Sequence, residues 1–331
     1  MKKVISMDLR YLGSLKQAPF LIKEINKIIP ETKIIAYTRD YATDDLFGKK
    51  ILLEDLNREG INLENIKIYE HTNSSEKNGL NLDFIVSKGY KFYQNSNEME
   101  FWIDPLKFEK RKLLDENKIK LLKDKYKVNS PNVVVAGSIR EEETSTIFLG
   151  TQELLNSKPD YKIIIVPRKD PGIICDNIAR ISKLPIETDE KIIGNSNYLI
   201  ITEKGILEKL YSICKIAIMG DTFYPRGRGQ NPLEPAFYGK KIISGENYEN
   251  NGVAYRGLEK SGLLKRVSRE NLGKELLKEI SGNQLKIYQE NAQRFIESKQ
   301  GAAKVYAEII KEALEGKLTF EDFKNTLLKL P

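Results

Sequence analysis

Histidine is almost missing from this chain: His71 is the single one in 331 residues. It sits in a polar stretch, Glu70-His71-Thr72-Asn73, with no nucleophile-elbow glycine pattern beside it, so neither a Ser-His-Asp nor a Cys-His mechanism is indicated. Metal catalysis built on several histidines is excluded, and acid–base chemistry falls to Asp, Glu, Lys or Tyr. Cysteine is nearly as scarce. Cys175 and Cys214 lie far apart and outside any C-x-x-C pair, which removes redox-pair and zinc-cluster readings. Their apolar surroundings predict small buried side chains. Long apolar runs are missing too. The opening Met1-Lys2-Lys3-Val4-Ile5-Ser6-Met7-Asp8 is too short and too soon broken to be a secretory h-region, which needs roughly 7–15 apolar residues. It predicts a first β-strand, in a protein expected to be cytoplasmic.

What is present is charge: 54 Lys and Arg against 47 Asp and Glu, a net +7 with pI near 9.0. A basic balance favours anionic partners such as sugar nucleotides, phosphorylated lipids, membrane surfaces or nucleic acid. The lysines alternate with glutamates as on solvated helices. No RNP aromatic motif, zinc finger or basic arm appears, so nucleic acid is not expected as a partner.

Strands and helices alternate along the chain, the pattern of parallel sheets with crossover helices and hence an α/β fold. Lys3–Met7 and Lys33–Tyr37 read as strands, with a helix over Ala18–Ile29 that Pro19 opens. Weaker elements follow at Leu52–Leu56 and Ile66–Tyr69, and short strands at Asp83–Val86 and Lys91–Gln94. A densely charged stretch after Pro105 reads as a boundary, so residues 1–105 form one domain and 106–128 a linker and helix. Residues 129–315 form the second domain, and 316–331 an amphipathic tail that, with the basic charge, permits peripheral membrane contact. In the second domain strands are expected at Asn132–Ala136, Tyr161–Val166, Leu199–Ile201, Ile216–Met219 and Lys241–Ile243. Its closing helices fall at Arg269–Ile280, Gln284–Ile296 and Ala302–Leu314.

Three strand ends carry the candidate chemistry. At the first, Val133-Val134-Val135-Ala136-Gly137-Ser138 runs into Glu141-Glu142-Glu143. Gly137 permits close backbone approach to a ligand, and Ser138 would cap a helix whose N–H groups attract phosphate. A plain capping box of Ser138 with Glu141 accounts for the same residues. The second, Val166-Pro167-Arg168-Lys169-Asp170, places Arg168 just past a strand, where ligands of open α/β sheets lie, or pairs it with Asp170 on the surface. The third is the loop Gly220–Gln230, in which Arg226 and Arg228 stand among Gly227 and Gly229 before Asn231-Pro232-Leu233-Glu234. Asn231, Pro232 and Glu234 suit a helix start without any ligand. Two arginines among glycines at that place do not need to be there for capping, and together they make an anion cradle.

These residues resemble the 3-deoxy-manno-octulosonate (Kdo) transferases, inverting enzymes of the GT-B fold that move Kdo from CMP-Kdo onto lipid A precursors. Asp104-Pro105-Leu106-Lys107-Phe108-Glu109 resembles that family's Asn-Leu-Lys-Phe-Asp segment, and Ala136-Gly137-Ser138 with Glu141–Glu143 resembles its Ser-Thr-His-x-Gly-Glu-Glu loop. Val166-Pro167-Arg168 resembles its Pro-Arg-His element. The most specific likeness joins Pro225-Arg226-Gly227-x-Gly229-Gln230-Asn231-Pro232-Leu233-Glu234-Pro235-Ala236 to its Pro-Arg-Gly-Gly-His-Asn-Pro-Leu-Glu-Pro-Ala signature. The resemblance implies two Rossmann-like domains, the first a reduced acceptor-side domain and the second a nucleotide-sugar-binding domain. It further implies that Ser138, Arg168, Arg226, Asn231 and Glu234 surround a nucleotide-activated sugar, CMP-linked by preference. Asn231 and Glu234 would hold donor hydroxyls or phosphate, and the arginines would stabilise the departing phosphate without a metal or other cofactor. The acceptor would be a glycan or lipid-linked hydroxyl.

The chain also departs from the family. The family's Ser-Val-Gly-Glu, whose glutamate is its base, corresponds here to Tyr11-Leu12-Gly13-Ser14, and Lys169 and Gln230 replace two donor-motif histidines. A base is then sought at Asp8, near the end of the first strand, and Asp40, near the end of the second. A turn residue explains Asp8 equally well. Two rivals stand beside transfer: a sugar-nucleotide epimerase or hydrolase, and a non-catalytic nucleotide-sugar-binding protein.

Overall fold

The computed structural model describes residues 4–9, 12–38, 47–70, 80–85 and 98–317. The chain divides into two compact units, Met1–Lys112 with Ile296–Pro331, and Leu113–Phe295. The first contains Val4–Leu9 (β1), Leu12–Ile28 (α1), Lys33–Thr38 (β2), Phe47–Arg58 (α2), Ile66–Glu70 (β3), Leu80–Ile85 (β4), Glu98–Trp102 (β5) and the short Ile103–Leu106 (α3). Its five strands are all parallel, in the order β3-β2-β1-β4-β5. Pro19 lies inside α1 rather than at its start. The apolar face explains why the helix runs through it: Leu21, Ile22 and Ile25 are wholly buried, each contributing about 1.5–3 kcal/mol. A buried proline in a helix costs about 3 kcal/mol.

The second unit opens with Glu116–Lys125 (α4) and continues through Val133–Ile139 (β6), Thr144–Ser157 (α5), Lys162–Pro167 (β7), Pro171–Ile181 (α6), Ile186–Thr188 (β8) and Tyr198–Ile200 (β9). There follow Leu207–Leu210 (α7), Ile216–Met219 (β10), Leu233–Phe237 (α8), Lys241–Ser244 (β11), Gly252–Ser261 (α9), Leu264–Arg266 (β12), Leu272–Leu277 (α10) and Gly282–Glu297 (α11). The seven strands are parallel, ordered β12-β11-β10-β6-β7-β9-β8. Every residue of β6 is buried, and its side chains alternate between two cores. Val134 and Ala136 join one with Phe148 of α5, while Val133 and Val135 join the other with Tyr126 and Leu210. A parallel strand covered on both faces reads as an unbroken β-branched run, which is why Val133–Val135 is so plain in the sequence. The chain leaves β6 toward β7 on one side and returns to β10 on the other, so a crevice opens beyond the carboxyl ends of β6 and β10.

The last helix, Ala302–Leu314 (α12), belongs with the first unit. Tyr306, Ile309 and Ile310 share a core with Leu21 and Ile25 of α1. Glu109 fastens its start by accepting the N–H groups of Gly301 at 3.1 Å and Ala303 at 2.9 Å. The charged stretch after Pro105 is thus more than a connector. Helices α6 and α9 and strands β5, β8 and β12 are not among the elements expected from the sequence, although Asp170 and Pro171 carry a plain start signal for α6. The expected strand at Lys91–Gln94 and all but the first two residues of the amphipathic tail lie outside the described residues. Among the described residues no helix is long and apolar enough to cross a membrane.

Candidate functional site

The crevice is built around a carboxylate. After β6 the backbone turns at Ser138, which has a left-handed φ of 59° and is still part of the strand, with a register shift between Gly137 and Ile139. Ser138 therefore does not cap α5 as the sequence reading expected. The turn is closed instead by Arg140, whose N–H donates to Glu143 Oε2 at 3.0 Å. Glu143 is wholly buried and reaches across to the end of β10. There it accepts the N–H groups of Asp221 at 2.7 Å and of Thr222 and Phe223 at 2.8 Å each. Burial raises its pKa, and the four backbone donors oppose that rise. The backbone donors at the head of this loop are thus filled by the protein's own carboxylate rather than left for a phosphate.

The loop after β10 is held as tightly on its other side. Asp221 is buried at φ 61°. Its Oδ1 accepts from the Tyr224 hydroxyl at 2.6 Å and its Oδ2 from Gln230 Nε2 at 3.2 Å. Arg140 Nε lies 2.7 Å from Oδ1, an ion pair out of hydrogen-bonding alignment. Gly227 and Gly229 are required by close backbone approach. A Cβ on Gly227 would stand 2.5 Å from the Asp221 carbonyl oxygen, and one on Gly229, at φ +74°, would stand 2.8 Å from Tyr248 Cα. Gly137 is required by Tyr211, whose hydroxyl would lie 2.1 Å from an added Cβ.

On this frame stand the expected arginines. Arg168 follows β7, and its N–H donates to the Ile139 carbonyl at 2.8 Å, which ties the ends of β6 and β7 together. Its side chain is exposed, yet its surroundings are dense enough to depress its pKa, chiefly by desolvation and then by the charge of Arg140, with Asp221 and Glu234 opposing. It does not pair with Asp170, which caps α6 by accepting the Gly172 N–H at 2.8 Å. Arg226 and Arg228 are exposed on the loop. Among the described residues no ion pair engages Arg168, Arg226 or Arg228. Asn231 Oδ1 accepts the Leu233 N–H at 3.2 Å, a local turn one residue ahead of the N-cap position, which Pro232 occupies without a side-chain cap bond. Helix α8, however, is only five residues long and contributes little dipole. The candidate cradle would therefore consist of side chains and a shaped loop rather than a helix terminus.

The structure thus brings Gly137, Ser138, Arg168, Glu234 and the Gly227–Asn231 loop to one sheet edge. Of the two base candidates, Asp8 is the fifth residue of β1, in register with Tyr37 and with Asp83 of β4. Asp40 lies outside the described residues. Arg140, Glu143 and Asp221 were missed as organisers. The Glu141–Glu143 run was the available signal, but a run of three acids does not reveal which one is buried.

No family model matches the chain. A bifunctional glycosyltransferase/methyltransferase of Fusobacterium nucleatum is 35% identical over 129 residues, 37% of this chain and 19% of that protein. The 3-deoxy-D-manno-octulosonic acid transferase of Aquifex aeolicus is 30% identical over 184 residues, 55% of this chain and 50% of that one. The chain thus spans half or less of the length of these curated relatives. Among solved structures, Anabaena HepE in complex with UDP and glucose matches 95% of this chain and 100% of its own, with a TM-score of 0.52 at 10% identity. At that identity the likeness concerns the fold alone. The chain is similar to the Kdo transferases over roughly three fifths of its length, and it has the GT-B fold, shared with HepE, with a putative UDP-N-acetylglucosamine 2-epimerase of Listeria monocytogenes and with the glycotransferase of kitacinnamycin.

Proposed function

We propose that the chain is an inverting glycosyltransferase that moves a Kdo-like sugar from a nucleotide-activated donor, CMP-linked by preference, to a hydroxyl of a glycan or lipid-linked acceptor. The observation that carries the reading is the group of guanidinium side chains, Arg168, Arg226 and Arg228, that no ion pair engages among the described residues, on the loops around the β6–β10 crevice. The acceptor oxygen attacks the anomeric carbon, the bond from that carbon to the phosphate oxygen breaks, and its electron pair leaves on the phosphate. Arg168 and Arg226 stabilise that growing charge, so the step does not call for a metal. Asn231 holds a donor hydroxyl or phosphate oxygen through its amide, and Glu234 accepts from a donor hydroxyl. The acceptor proton passes to a carboxylate, for which Asp8 and Asp40 are the candidates. Cytoplasmic location and peripheral membrane contact are part of this proposal.

The test is calorimetric titration of the chain with CMP, UDP, GDP and ADP in metal-free buffer. Selective CMP binding supports the reading, selective binding of a diphosphate moves the donor to another class, and binding of none removes the cradle. Arg226→Ala should weaken the preferred nucleotide by roughly 10–100-fold, the worth of one charge-assisted hydrogen bond. Unchanged affinity would count against Arg226 as a phosphate ligand. Product analysis with candidate acceptors then separates transfer from acceptor-free turnover.

A further inference from the structure

Away from the strand ends, helices α9 and α11 enclose an open groove of about 520 Å³. Its α9 wall carries Val253, Arg256 and Lys260, and its α11 wall Arg294 and Phe295. Positions 253, 256 and 260 recur at helical spacing, so one face of α9 offers a valine and two cations together. Arg256, Lys260 and Arg294 are exposed, and among the described residues no carboxylate lines the groove. Among the described residues neither Arg256 nor Lys260 has an ion-pair partner. Arg294 is steered rather than neutralised: its NH2 donates to Asn291 Oδ1 at 2.9 Å, which leaves its charge uncompensated. The floor is specific as well. Gly257 lies under the Phe295 ring, and an added Cβ would meet ring carbons at 2.0–2.3 Å. Val253 remains 52% exposed.

We propose that this groove binds the phosphate of an anionic phospholipid headgroup at a bilayer surface. Three cations without a carboxylate suit a phosphate diester. The apolar wall of Val253 and Phe295 favours an amphiphile, because a free sugar phosphate gains nothing from it. The groove would hold unit 2 at an anionic surface through residues that have no part in the nucleotide cradle. The inference stands whether or not the donor reading holds.

The test is cosedimentation of the full chain with vesicles of phosphatidylcholine containing about a third phosphatidylglycerol, beside pure phosphatidylcholine and beside titration with glycerol 3-phosphate in solution. Each basic residue near an anionic surface is worth about fivefold in affinity. Arg256→Gln with Lys260→Gln should therefore weaken vesicle binding by about 25-fold. Lys120→Gln with Lys183→Gln removes the same charge from exposed positions elsewhere and should leave binding within about twofold. All four side chains are exposed, and equal thermal midpoints of the variants exclude unfolding as the cause. Val253→Ser should weaken binding at constant charge. Failure to bind anionic vesicles, or equal losses in the two double variants, overturns the proposal, since net charge alone would then be acting. Binding of soluble glycerol phosphate as tight as that of vesicles overturns the bilayer assignment and leaves a soluble phosphate site.

Discussion

Glu143→Gln tests the reading of the site most directly, because the glutamine keeps the volume of the side chain while replacing one acceptor oxygen by an NH2 donor and removing the ionisable group. Each carboxylate oxygen now takes two backbone donors: Oε2 accepts from Arg140 and Asp221, and Oε1 from Thr222 and Phe223. An amide has one oxygen, so in either orientation two buried N–H groups lose their acceptor and face an NH2 instead. A buried donor left unsatisfied costs about 1–3 kcal/mol, which places the loss at about 2–6 kcal/mol. Urea unfolding followed by far-UV circular dichroism reads this as a lower midpoint for the transition of the second unit, at unchanged slope. The same loop carries Arg226 and Arg228, so nucleotide affinity should fall together with stability. A midpoint loss of less than about 1 kcal/mol, with affinity intact, would refute the claim that Glu143 organises the crevice.

Two further predictions rest on independent contacts. Gly137→Ala puts a Cβ 2.1 Å from the Tyr211 hydroxyl and 2.8 Å from Leu207 Cδ1, and should cost about 1–3 kcal/mol of overpacking in urea unfolding. Adding Tyr211→Phe removes the nearer atom and should recover part of the loss; an undiminished loss in the double variant would show that the strain lies elsewhere. Glu187 is opposed by its own burial, but the N–H of Asn195, the charge of Lys162 and the N–H groups of Gly194 and Ser196 together hold its pKa below the ordinary 4.5. Because the folded value is depressed, its contribution is present above 4.5 and is lost as pH falls through the lower folded value. Glu187→Gln should accordingly be less stable than the parent chain near neutral pH, with the gap closing in acid. A gap that does not vary with pH would show that the ionised form is not what matters.

The parts of the chain that the sequence disclosed are those whose reasons are local. Val133–Val135 must be a buried parallel strand because no amphipathic alternation interrupts it, and Ile216–Met219 and Ala302–Leu314 are patterned by periods of their own. Arg226, Gly227, Gly229 and Asn231 stood out because their residue types are dense in a short loop and match a family signature. Pairings across the chain were not visible in the same way. Glu143 and Asp221 are 78 positions apart, and a run of three glutamates does not say which carboxylate enters the core. The placement of α12 depends on apolar surface offered by α1 nearly 300 residues earlier, a complement that neither helix encodes alone. Ser138 shows the same limit on a smaller scale. Its sequence fits a helix cap, but the positive φ and the shifted register with β7 keep it in the strand. Local pattern determined the α/β alternation and the residue types at the strand ends. Tertiary packing decided which of those residues are spent in holding the loop and which guanidinium groups remain for a ligand, because desolvation and hydrogen-bond partners exist only once the distant segments meet.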